Sequence, residues 1–297
     1  MEVFKKKTTL VHHIAYMGLT TAINVIFVVL ATYLSFLMLL LVLVLPFISA
    51  VVSYYCQKRY YIIYAIASFL LCFIVSLSNT LFYVFPALVT GFFIGLLLEK
   101  KINPFWLILV STLIDSVLTF ALIPLINLLS KVSIVDTFLN VFHLNDFTYK
   151  TELVYLFIFF ISLVQCTLTH FIMLADAKKI GIEINTCINS FMPYIIGNVI
   201  AMTLSITFAF FYLPLALFFL AISIYFSIFL IINLILNNKI GLYISLGVSL
   251  LVAFFVFTVF YSFFEKPYGL LLINALPLLI SSISFVNYCL LKQEGNI

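Results

Sequence analysis

Long apolar runs, broken by short polar or charged punctuation, fill nearly the whole chain. A helix needs about 20 apolar residues to cross the hydrocarbon core of a bilayer. The runs are continuous rather than alternating, which selects helices over the two-residue period of barrel strands. Ten spans are predicted, at roughly 11–31, 34–56, 60–79, 81–98, 104–129, 153–175, 191–212, 214–236, 240–264 and 268–290. Several connections are short: Ser78-Asn79-Thr80, the turn around Leu213-Pro214, and Asn237-Asn238-Lys239. Helices joined so tightly must pack as antiparallel neighbours.

The charges between the runs orient the chain. Cytoplasmic loops carry the excess of Lys and Arg. With the N-terminus inside and the spans alternating, residues 5–7, 58, 59, 100, 101, 178, 179, 239 and 292 place their basic side chains inside. Only Lys131, Lys150 and Lys266 fall outside. The expected fold class is therefore all-α, a polytopic membrane helix bundle of about ten transmembrane helices, with both termini in the cytoplasm. The lysines at 5–7 followed by an apolar stretch mimic a signal peptide. That stretch continues to Cys56, far past the 7–15 residues of a cleavable one.

Composition agrees with this reading. Of 297 residues, 66% are hydrophobic and 8% charged, against about 25% charged in a soluble domain. A net charge of +4 spread in small clusters lacks the basic face that nucleic acid requires. The five cysteines have no metal-ligand spacing, so neither a zinc site nor a disulfide framework is expected. No phosphate loop, nucleophile elbow or zinc-binding His pair occurs, so no enzyme activity and no cofactor are predicted. His12-His13 points to two different helix faces, and His170 lies toward the inner end of span six.

One longer external segment, about 130–152, carries Val135, Phe138, Leu139 and Phe142 at the spacing of a single apolar helix face. It reads as a short helix on the outer interface, either an ordinary surface helix or a lid.

Candidate chemistry lies inside the spans. Asp115 sits near the middle of span five, where an ionised carboxylate costs about 2.5–3.5 kcal/mol on an insertion scale. Ser111, Thr112 and Thr119 share its helical face, so that stripe must point into the bundle. Two readings stand: a contact for substrate or proton, or a helix–helix hydrogen bond. Asn24 of span one, with Thr20 and Thr21, and Gln165 of span six, with Ser162 and Thr169, form weaker stripes. The candidate substrate-binding set is Asp115, Ser111, Thr112, Thr119, Asn24 and Gln165. Span ten adds Asn274, Pro277, Ser281 and Ser284. Ala87, Gly91 and Gly95 form a small-residue face that lets another backbone approach, for packing or for a partner. Pro46, Pro86, Pro124 and Pro277 interrupt spans and free backbone carbonyls.

The first six spans resemble the substrate-binding S components of energy-coupling-factor importers. "IAYMGLTTAINVI" places Ala15, Gly18 and Ala22 on one face, similar to the first helix that S components present to their coupling subunit. "LPFISAVVSYYCQKRYYIIYAIAS" and "FPALVTGFFIGLLLEKK" look like their second to fourth spans. "MLADAKKIGIEI" resembles the YybS-like family of bacterial membrane proteins, which joins an S-component-like front to further spans. The chain departs from that family in its weakly basic tail, "LLKQEGNI", and in Asp115, which matches no family motif. The resemblance implies an S-component-like domain at 8–177 and an additional four-helix region at 178–297. It also implies a small-molecule ligand, a membrane coupling subunit with an ATPase module, and a bacterial cytoplasmic membrane. Two other readings stay open: a non-transporting scaffold or regulator, and a stand-alone transporter using Asp115 as a proton relay.

Overall fold

A computed structural model describes residues 9–34, 37–130, 133, 135–136, 139–140, 150–180, 191–236, 240–260 and 268–293. Every element among them is helical. We number ten helices: α1 Leu10–Tyr33, α2 Met38–Tyr55, α3 Lys58–Val75, α4 Leu77–Glu99, α5 Pro104–Ser130, α6 Lys150–Ile180, α7 Phe191–Ala209, α8 Leu213–Leu236, α9 Ile240–Phe260 and α10 Ala275–Gln293. A 3₁₀ segment, Tyr268–Asn274, leads into α10. Eight helices are long and apolar enough to cross a membrane. Two shorter apolar stretches, Leu41–Tyr55 and Ile244–Val256, belong to α2 and α9. This is the build of a multi-pass membrane protein.

Helix ends follow local chemistry. Thr9 caps α1 by accepting from the His12 amide at 3.4 Å. Asn103 accepts from the Phe105 amide at 2.9 Å, with Pro104 in the first turn of α5 where a missing N–H costs nothing. Lys101 closes α4 in the left-handed region, φ 51°, so α5 can start almost at once.

Two expected turns lie elsewhere. Ser78–Thr80 is helical, and the α3–α4 break falls on the extended residue Ser76. Ser76 caps α4 through its hydroxyl, and Thr80 Oγ1 bonds back to its carbonyl at 2.7 Å. Leu213 and Pro214 begin α8, while the turn occupies residues 210–212, because Pro fits the first helical turn. The Asn237–Lys239 turn lies outside the described residues.

The chain divides into two compact units, Met1–Cys187 and Ile188–Ile297. The first unit contains α1 to α6. There α2 packs along α4, α5 along α6, and α1 along α3, with α4 against α5 and α2 against α6. Lys58 and Glu99 form an ion pair of 3.3 Å, and His13 lies on the Tyr60 ring, 4.9 Å between centroids. The start of α1, the α2–α3 turn and the end of α4 therefore share one end of the unit. Asn79 donates to Thr32 at 3.0 Å at the other end.

Between α5 and α6, Ser133 accepts from the Asp136 amide at 3.1 Å. Val135 and Leu139 pack onto Phe120 and Ile123 of α5 and Val154 and Ile158 of α6. Phe138 and Phe142, expected on that face, lie outside the described residues.

In the second unit α7 packs along α8, and α10 packs against α7, α8 and α9. Its apolar core centres on Ile195, Leu230, Leu234, Leu246 and Ile280.

Candidate functional site

Asp115 faces the interior of the first unit and is 3% exposed. The antiparallel packing of α5 on α6 brings Ser162 to the same level, in hydrogen-bonding reach of its carboxyl. From the other side, Thr90 Oγ1 on α4 donates to Asp115 Oδ1 at 2.9 Å. Among the described residues no Lys or Arg approaches this carboxyl.

A cavity opens beside Asp115, lined by Val42 of α2, Phe82, Tyr83 and Pro86 of α4, Thr119 of α5, and Ile158, Ile161, Ser162 and Gln165 of α6. Space of about 40 Å³ is open to the centres of water-sized occupants, enough for roughly three waters. The walls are mainly apolar, with a few polar groups converging on the acid, the usual make-up of a small-ligand site.

Proline chemistry shapes this cavity. Pro86 has no amide hydrogen, and its ring crowds the carbonyl four residues back, which belongs to Phe82. The preceding turn widens into a π-helical stretch, Thr80–Val84, closed by the Phe85 amide on the Thr80 carbonyl. That turn carries Phe82 and Tyr83, both lining residues. Single π turns recur at functional positions. Pro46 likewise cannot donate to the carbonyl of Val42, another lining residue.

The candidate set separates in space. Asp115, Thr119 and Gln165 line the cavity together. Ser111 and Thr112 are fully buried one turn further along α5, where Thr112 neighbours the Cys166 thiol. Among the described residues the Ser111 hydroxyl has no hydrogen-bond partner. Asn24 is elsewhere. It donates to the Tyr64 hydroxyl at 2.8 Å and approaches Ser68 at 3.5 Å, and Ser68 also meets Thr21 at 3.0 Å. Ser49 completes this network on Tyr64 at 3.4 Å. Asn24 thus ties α1 to α3.

Ala87, Gly91 and Gly95 are spent on packing inside the unit. A Cβ on Gly91 would meet Ser49 Cβ at 2.4 Å and the Pro46 carbonyl at 2.8 Å, and one on Gly95 would meet Ser53 Cβ at 2.5 Å. Ser53 donates to the Phe92 carbonyl at 2.9 Å across this contact. By contrast Ala15, Gly18 and Ala22 are exposed, and nothing lies within 4 Å of a Cβ on Gly18.

Thr90, Tyr64 and Ser68 escaped the sequence reading, and so did the organising residue of the second unit, Asn198. Its side-chain amide reaches Ser227 at 2.9 Å, Ser281 at 2.8 Å and the Pro277 carbonyl at 3.3 Å. Asn274 donates to Ser205 at 3.1 Å. The available signal was an amide in an apolar helix, the same signal that drew attention to Asn24. His170 is buried in α6, and no group of three metal-ligating side chains forms among the described residues.

Compared with protein-family models, curated proteins and solved structures, the chain matches none.

Proposed function

We propose that this chain is a multi-pass protein of the bacterial cytoplasmic membrane whose first unit binds a small solute in the Asp115 cavity, as an S-component-like transport subunit. Ten spans with both termini inside fit the lysine distribution and the shared end occupied by Lys58 and Glu99. One observation carries the binding reading: a buried carboxylate with no basic partner among the described residues, set at a cavity where Thr119, Ser162 and Gln165 converge. An intramembrane acid of this kind is costly and is kept where it does work.

The outward-facing Ala15, Gly18 and Ala22 supply a smooth surface on which a coupling subunit could dock. The chain holds no nucleotide-binding motif, so the energy would come from a partner ATPase. A scaffold acting through α4 has less to offer, because Gly91 and Gly95 already face α2.

The test is purification of the full chain in mild detergent, with native mass spectrometry for a bound solute and for a copurifying ATPase module. The expected result is a low-mass ligand that Asp115→Leu removes while the protein stays folded. Wild-type protein with neither ligand nor ATPase partner in repeated preparations overturns the proposal.

A further inference from the structure

The Asp115 cavity also points to the class of species it holds. The carboxylate accepts from Thr90 and lies beside Ser162, which satisfies lone pairs but leaves the charge uncompensated. In its ionised form such an acid is strongly destabilising without a counter-charge, so the site takes up either a proton or a cation. The described cations of this unit sit at helix ends. Lys101 is 14 residues from Asp115, about 20 Å along a helix, where the attraction is under about 1 kcal/mol at an effective dielectric of 20. The nearest ionisable neighbours, the Cys166 thiol and the Tyr83 hydroxyl, supply no positive charge.

The few polar groups beside the acid in these mainly apolar walls are oxygen donors of lone pairs. Thr119 and Ser162 bring hydroxyls and Gln165 an amide oxygen. Val42 and Phe82 are lining residues whose carbonyls have lost their donor four residues on, to Pro46 and Pro86. Helix interruptions that free carbonyls near an acid are how membrane proteins assemble sites for small cations. Space for roughly three waters accommodates a sodium ion or a methylammonium group.

We infer that the Asp115 cavity is a binding site for a small monovalent cation, an alkali ion or a primary ammonium group, held by the Asp115 carboxylate and the oxygens around it. This deepens the solute-binding reading by naming the charge its occupant carries. The cation replaces the missing counter-charge, and the carbonyls of Val42 and Phe82, which have no amide donor four residues on, are its candidate backbone ligands.

The test follows thermal unfolding of the full chain in lipid nanodiscs at constant ionic strength. Sodium chloride or methylammonium chloride is titrated against choline chloride, whose larger cation holds ionic strength constant. A saturable rise in Tm is expected with one of the two. Sodium alone identifies an inorganic ion, and methylammonium alone an amine headgroup. Asp115→Asn, which keeps size and hydrogen bonding, should lose the response, and Pro46→Ala should shift half-saturation to higher concentration. No response in the wild type, or an equal one in Asp115→Asn, overturns the inference. A neutral solute found by mass spectrometry in protein that ignores both cations sinks this inference and leaves solute binding standing. A cation response without solute or ATPase partner does the reverse.

Discussion

Thr90 on α4 donates its hydroxyl to Oδ1 of Asp115 on α5 at 2.9 Å. The two helices are joined by a short turn, so the bond closes a hairpin over the acid. Thr90→Val keeps the shape and removes the donor. Such bonds average about 0.6 kcal/mol between membrane helices, with a maximum of about 1.7. We expect a loss in that range by reversible unfolding in mixed micelles. Asp115→Asn, still able to bond Thr90, should change stability by no more.

Glycine substitutions separate packing from exposure. Gly91→Ala drives a methyl into Ser49 and the Pro46 carbonyl, so α2 and α4 must move apart. Overpacking of this kind costs about 1–3 kcal/mol. Gly18→Ala meets nothing and should leave stability unchanged or slightly raised, through better helix propensity. Parallel unfolding curves of the two variants check the contrast.

In the second unit Asn198 joins α7, α8 and α10 through one amide. Asn198→Leu removes three contacts at once and leaves the Ser227 and Ser281 hydroxyls facing an alkyl chain. At about 0.6 kcal/mol per bond, a loss near 2 kcal/mol is expected. Asn198→Gln, one methylene longer, should not restore it. Unfolding midpoints of both variants provide the measurement.

The Lys58–Glu99 pair is half-exposed, so Glu99→Gln should cost under about 1 kcal/mol, as surface pairs do. Its topological content is firmer. In a background without native cysteines, Lys58→Cys and Lys100→Cys should react with an impermeant maleimide from the same side of the membrane. Leu34→Cys, beyond the Thr32–Asn79 end, should react only from the other side. Labelling of Lys58→Cys and Lys100→Cys from opposite sides refutes the shared end.

Much of this architecture was legible in the sequence for a simple reason. Crossing a bilayer demands an apolar run of fixed length, and burying one acid demands an inward face. Both constraints act on single helices, so the spans and the inward stripe of Asp115, Ser111 and Thr112 can be read without a partner in view. Element ends were less legible. Ser76, one extended residue with a capping hydroxyl, replaces a whole expected loop, because capping depends on a backbone angle that composition does not set.

The all-helical build, the membrane-length runs and the inward acid follow from each helix taken singly, since hydrophobicity and helical period fix them locally. Tertiary structure alone decided which polar residues meet. Asn24 went to Tyr64 and Ser68, Thr90 to Asp115, and Val42 and Phe82 to the cavity, because each pairing depends on the register and rotation of one helix against another. Those two quantities are set by packing at contacts such as Gly91 against Ser49, far along the chain from the residues they bring together.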